Sequence, residues 1–243
     1  MTLLTNRVAI ITGASTGIGR GIAIAFANEG AKVVVAARRR EPLDEVVREV
    51  QANGGTALAV PTDVTVEDQV LQLFQKATDT FGRCDILVNN AGTAAGRPTE
   101  ELPLEAWKRV IDCNLTGAFL CSREALKIMK RQKSGRILNI GSVSAKVPRQ
   151  NSAAYTASKY GLEGLTHSLA VDGRAHGVAA SVLQPGNVHT PLWEGREEVV
   201  AKEGAMTTED LSRIAVLMVS LPENLNLYEA TVLPLTMPLL GRG

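Results

Sequence analysis

Aromatic side chains are scarce in this chain, with four Phe, three Tyr and two Trp among 243 residues. Packing must therefore come from aliphatic side chains, and a tyrosine among small residues stands out. Cysteine is scarce too. Cys84, Cys113 and Cys121 are odd in number and lack ligand-like spacing, which argues for reduced thiols against a disulfide frame or a zinc site. His167, His176 and His189 are equally scattered, so zinc hydrolysis and a cysteine-histidine mechanism have no footing. No charge excess exists: 26 basic and 25 acidic residues leave +1, giving no electrostatic case for a nucleic-acid surface, although Arg38, Arg39 and Arg40 form a local basic run. No apolar stretch approaches the roughly twenty residues of a membrane span, and the start MTLLTNRVAI lacks a signal-peptide core. The expectation is a cytoplasmic protein that binds no membrane.

What is present is alternation. The runs RVAIIT, AKVVVAA, TALAV, CDILVNN, GRILNI and VAASVL read as buried strands, separated by helical segments at 17–29, 41–53, 65–80, 104–131 and 153–175. Several of these helices end near Gly30, Gly54, Gly82, Gly135 and Gly177. Parallel strands need a crossover of a dozen residues or more, so this order predicts an α/β fold with a doubly wound parallel sheet of about seven strands. A last strand is expected in ATVLPL. No linker or repeat divides the chain, which suggests one domain over residues 1–243.

The first strand meets the first helix through TGASTGIG, with Gly13, Gly17 and Gly19. Glycine admits a tight turn and close backbone approach, and a helix N-terminus offers unpaired N–H groups, which together suit a diphosphate. The second strand ends in VVVAARRR, with Ala37 and then Arg38 where an NAD site would carry an acidic residue. A guanidinium suits a 2′-phosphate, so NADP(H) is expected over NAD(H), with Arg39 assisting. In SAAYTASKYGL, Tyr155 and Lys159 stand four positions apart and so share a helix face, where an ammonium would favour an ionised phenol.

In this order and spacing, the segments TGASTGIG, DV at 63 and 64, NNAG at 89–92, Asn114, Ser142, YTASK at 155–159 and PGNVHT at 185–190 resemble the short-chain dehydrogenase/reductase family, its smaller single-domain branch. The resemblance runs from about Arg7 to Thr190. It implies that Tyr155, Lys159, Ser142 and Asn114 are catalytic: Tyr155 as general acid/base, Lys159 tuning it and holding the nicotinamide ribose, Ser142 donating to the substrate oxygen, and Asn114 holding a water behind Lys159. Ser144 is a second hydroxyl of the same chemistry, disfavoured by spacing. Trp107, Ile111 and Ala118 are expected to share the face of Asn114.

The same resemblance assigns cofactor contacts to Gly13, Ser15, Thr16, Gly17, Ile18 and Gly19, and to Arg38 and Arg39. It adds Asp63 and Val64 at the adenine, then Asn90, Ala91 and Gly92. Pro185, Gly186, Val188 and Thr190 complete the nicotinamide side, where Tyr155 and Lys159 also touch the cofactor. Read locally, Thr65 and Asp68 also form a capping-box-like pair. The implied activity is an NADP(H)-linked oxidoreductase acting on a small carbonyl or alcohol, in a homo-oligomer and specifically a tetramer, with Phe119, Leu126 and Met129 facing either a subunit contact or the sheet. A non-redox lyase or isomerase and a non-catalytic sensor are the alternatives. Residues 191–208 read either as a substrate lid, with Leu192, Trp193 and Met206 as apolar contacts, or as a surface helix and loop. The tail departs from the family's usual Gly-Gly ending by carrying Pro234 and Pro238.

Overall fold

The structure is a computed structural model that describes residues 2–190 and 197–239. Seven strands form one parallel sheet in the order β3-β2-β1-β4-β5-β6-β7. They are β1 Val8–Thr12, β2 Lys32–Ala37, β3 Thr56–Pro61, β4 Ile86–Asn89, β5 Gly135–Ile140, β6 Val178–Pro185 and β7 Glu229–Val232. The helices are α1 Gly17–Asn28, α2 Arg40–Ala52, α3 Glu67–Phe81, α4 Leu104–Ile111, α5 Gly117–Gln132, α6 Ala153–Arg174, α7 Glu197–Glu203 and α8 Thr208–Ser220.

The continuous apolar strands are explained by cover on both faces. Ala9, Ile11, Val33 and Val35 belong to one core cluster with Ile22 and Phe26 of α1, while Ile10, Val34 and Leu87 belong to a second with Leu73 of α3 and Met129 of α5. Alternate side chains thus feed opposite layers, and β1 and β4 have no face left to solvent. Strand order reverses at β1, which pairs with both β2 and β4, so the connections leaving β1 and β4 diverge to opposite faces. The crevice they leave lies at the carboxyl ends of the strands, the usual ligand position of such sheets.

Four local expectations differ from the structure. The helix expected over 104–131 is interrupted: Asp112–Thr116 forms a π-helical turn in which the Gly117 N–H bonds the Asp112 carbonyl. The wider turn shifts register, so Trp107 is 37% exposed while Asn114 is 1% exposed. The Thr65–Asp68 cap does not form. Instead the Asp63 carboxylate accepts from the Thr65 N–H and hydroxyl, and α3 begins two residues later at Glu67. The left-handed residue ending α5 is Lys133, φ 56°, because Gly135 already belongs to β5, where an added Cβ would lie 2.3 Å from Met129 Cγ. Finally, β7 stops at Val232 before Pro234, which lacks the N–H a ladder requires.

Met129 is fully buried against the sheet, whereas Phe119 is 45% exposed beside the Arg123 guanidinium. Leu126 packs on the core from a partly buried position. Cys84, Cys113 and Cys121 are free thiols. Among the described residues no group of His, Cys, Asp or Glu is arranged to hold a metal, and no helix is long and apolar enough to cross a membrane.

Candidate active site

A cleft of about 1180 Å³ runs along the carboxyl edge of the sheet. At its start the chain leaves β1 at Thr12 and turns through Gly13, φ 63°, and Gly17, φ 55°, into α1. An added Cβ on Gly13 would stand 2.8 Å from the Ala91 Cα, so this backbone passes too close to the loop after β4 for any side chain. Asn90 fixes the approach: its Nδ2 donates to the Thr12 and Gly13 carbonyls at 3.0 and 3.1 Å. The Thr12 hydroxyl accepts from the Asn90 and Ala91 N–H groups, both at 3.1 Å. The cap position of α1, Thr16, makes no side-chain bond to the helix, and the first turn holds no acidic residue. The N–H groups that begin this helix are therefore available to an anion, and the dipole favours one.

Ser15, Thr16, Gly17 and Ile18 line the cleft, as do Arg38 and Arg39 at the end of β2. Arg40 is held by Asp44 at 2.8 and 2.9 Å and Arg20 pairs with Glu49. Arg38 and Arg39 have no carboxylate partner among the described residues and are exposed. Asp63 and Val64 follow β3 along the same wall, with Asn90, Ala91 and Gly92 opposite. Gly19 does not line the cleft. It is a packing glycine, since a Cβ there would meet Asn90 Nδ2 at 2.3 Å and the Gly13 carbonyl oxygen at 2.4 Å.

At the other end stand Ser142, Tyr155 and Lys159, with Pro185, Gly186, Val188 and Thr190 from the end of β6. Tyr155 and Lys159 share one face of α6, the Lys159 Nζ lying 5.6 Å from the Tyr155 ring centre. Lys159 is 5% exposed and donates to the Ile140 carbonyl at 2.7 Å. Burial pulls its ammonium from the usual 10.5 down to about 8. Ser142 begins a short helical turn, and its Oγ accepts from the Ser144 N–H at 3.1 Å. Ser144 also lines the cleft. Asn114 lies behind this surface without lining it. Its Nδ2 donates to the Thr93 carbonyl and Ser158 Oγ, both at 2.9 Å, and its Oδ1 accepts from the Thr93 N–H at 2.8 Å. The buried amide thus ties the π turn to the loop after β4 and to α6.

The sequence reading missed Thr12, Thr62, Cys113, Arg149 and Asn187. The last four line the cleft, and Thr12 binds the loop behind it. A buried threonine at a strand end and a residue brought in by a π turn leave no periodic signal. Met206, expected as a substrate contact, is 7% exposed and belongs to the core, with its main chain bonded to Asn187 and His189 at 2.9 Å. Leu192 and Trp193 lie outside the described residues, as does the 191–196 part of the expected lid.

Comparison with known proteins agrees with this geometry. The family model described as short chain dehydrogenase matches residues 7–200. A 3-oxoacyl-[acyl-carrier-protein] reductase of Synechocystis sp. is 45% identical over 195 residues, covering 80% of this chain and 79% of the relative. The cis-4-hydroxycyclohexanecarboxylate dehydrogenase of Sinomonas cyclohexanicum is 43% identical over 191 residues, 78% of this chain and 76% of that protein. A short-chain oxidoreductase of metagenomic origin, solved in complex with NADP, superposes with a TM-score of 0.84 at 35% identity over 95% of this chain and 97% of its own. A short-chain dehydrogenase/reductase from Mycobacterium marinum gives 0.89 at 32% identity over 94% of both chains. With its sheet order, its glycine turn and these relatives, the chain belongs to the short-chain dehydrogenase/reductase family of oxidoreductases.

Proposed function

We propose that this enzyme transfers a hydride between NADP(H) and a carbonyl or secondary alcohol, with Tyr155 as the general acid/base, in one domain that carries both cofactor and substrate groups. The observation that carries the reading is continuity: one cleft joins the open α1 N-terminus and the unpaired Arg38 to the Tyr155–Lys159 pair. The residues fit the dinucleotide. The glycine turn and helix N-terminus suit the diphosphate, and Arg38 with Arg39 would hold a 2′-phosphate that an acidic residue at this position would repel. When bound, the nicotinamide supplies or accepts the hydride.

In reduction, the Tyr155 O–H delivers its proton to the oxygen of the carbonyl as that oxygen gains charge, leaving a phenolate. In oxidation the phenolate takes the alcohol proton, so the cycle balances. The Lys159 ammonium beneath the ring favours the phenolate, and a sheltered cation does so more strongly than a solvated one. Ser142 donates its hydroxyl hydrogen to the same substrate oxygen, because its Oγ already accepts from Ser144 and is thereby oriented. Asn114 acts through its hold on the π turn, since its carboxamide is already engaged with Thr93 and Ser158. The exposed Phe119 on α5 supports assembly into a homo-oligomer, a tetramer in this reading, and light scattering gives the mass that checks it.

The test is an NADPH-oxidation screen over aldehydes, ketones, quinones and 3-oxoacyl thioesters, run beside Tyr155→Phe. The variant is expected to bind NADPH with unchanged affinity in a fluorescence titration and to lose most turnover, on the order of 10²-fold or more. Near-native turnover would overturn the mechanism. Stoichiometric cofactor oxidation separates this reading from a non-redox lyase.

A further inference from the structure

Beside the loop that carries Ser142 lies a polar cluster that the mechanism above leaves without a role. At its centre is Gln184 of β6, with no solvent exposure. Its Nε2 donates to Glu163 Oε2 at 3.1 Å and to Glu229 Oε1 at 3.2 Å, and its Oε1 accepts from the Ser142 N–H at 3.4 Å. The orientation is forced by chemistry. Carboxylates only accept, so the amide nitrogen must face the two glutamates and the oxygen is left for Ser142.

The same two carboxylates hold Lys146, whose Nζ pairs with Glu163 and lies 3.2 Å from Glu229. Lys146 ends the loop that Ser142 begins, and its carbonyl accepts from the Tyr160 hydroxyl at 3.2 Å. Both ends of the loop are therefore tied to one ionic cluster between α6 and β7. Burying an amide against two carboxylates costs free energy that an aliphatic residue would not incur, unless each polar atom is paired. Here each is. The main-chain group that this arrangement reaches is the N–H of Ser142.

We infer that Gln184 is a positioning residue: gripped by Glu163 and Glu229, it holds the Ser142 backbone and so aims the Ser142 hydroxyl at the substrate oxygen. This rests on the reading of Ser142 as a donor to that oxygen. A donor displaced by a fraction of an ångström stabilises developing charge less, while cofactor affinity is untouched.

The experiment is a double-mutant cycle of Gln184→Met and Ser142→Ala, assayed by NADPH oxidation with the best substrate of the screen. Gln184→Met in the otherwise native enzyme is expected to lower kcat about tenfold, with KM for NADPH within about twofold of native. In the Ser142→Ala background the same change should alter kcat less than about twofold, because the group it aims is gone. An equal loss in both backgrounds, or no loss in the native one, overturns the inference. Full kcat in Ser142→Ala alone overturns the underlying reading of Ser142, a separate result.

Should Gln184→Met fail to fold, Gln184→Glu serves. Its protonated carboxyl mimics the amide, donating O–H to a glutamate and accepting from Ser142. Its ionised form repels Glu163 and Glu229, with Lys146 the cation paired to both and His167 and Tyr228 completing the surroundings among the described residues. Near-native kcat at low pH with a new decline as pH rises supports the inference. A native-shaped pH profile overturns it.

Discussion

Lys159 illustrates what one buried side chain costs and what it does. Its ammonium is pushed from 10.5 to about 8, chiefly by desolvation, while it donates to the Ile140 carbonyl. Because the folded value lies below the unfolded one, the unfolded chain binds more protons between these values. Stability therefore rises with pH across that window, and below it the charged lysine is a standing penalty of about 3 kcal/mol. Lys159→Met is expected to abolish turnover and yet raise the thermal midpoint at pH 7, with the gap closing above pH 10. Calorimetry across pH checks this. Arg38 offers a second prediction at this scale. If Arg38 holds the 2′-phosphate as proposed, Arg38→Asp should weaken NADPH by about 2 kcal/mol through loss of a charge-assisted pair and addition of a repelling one, and spare NADH. An unchanged ratio of kcat/KM for the two cofactors would refute the assignment.

The π turn between α4 and α5 is the element that ties the loop after β4 to α6. It rotates Asn114 inward, where three hydrogen bonds join it to Thr93 and Ser158. Asn114→Leu would leave the part-buried Thr93 N–H and carbonyl without the amide and take a donor from the buried Ser158 hydroxyl, and the expected loss is about 1–3 kcal/mol, read in urea unfolding. The α8 cap is a milder case. The Thr207 hydroxyl accepts from the Asp210 N–H at 3.1 Å while Asp210 accepts from the Thr207 N–H at 3.0 Å, a reciprocal box that nothing in the reading of α3 anticipated. Thr207→Ala should cost about 1 kcal/mol without changing kcat. Helix ends of this kind are legible as residue types, but only the chain path decides which hydroxyl turns back on which N–H. That is why Asp63 captured Thr65 and displaced the expected pair with Asp68.

Across the whole molecule the cofactor cleft is assembled from strand ends far apart in sequence, from Gly13 to Thr190. Binding at such a site links affinity to global stability. NADPH at a hundredfold excess over its Kd should add about 2.7 kcal/mol, a rise of about 5–10 °C in Tm, with NADH at the same concentration adding less. A thermal-shift titration decides it. The tail also acts at this scale: Met237 Sδ accepts from the Asn187 N–H at 3.4 Å, and Gly186 leaves the room this sulfur occupies. The segment after Pro234, which departs from the family's pattern, thus closes back over the loop from Gly186 to Asn187 that lines the cleft.

The order of strands and helices, the glycine turn, the absent acid after β2 and the shared face of Tyr155 and Lys159 were all written in the sequence. Each depends on neighbours within a few residues, where periodicity, glycine conformation and charge act directly. The π turn, the packing role of Gly19, the burial of Met206 and the grip of Gln184 on Ser142 were decided by tertiary structure. In each of these, a residue's role is set by a partner tens of positions away, and such a partner has no local signature.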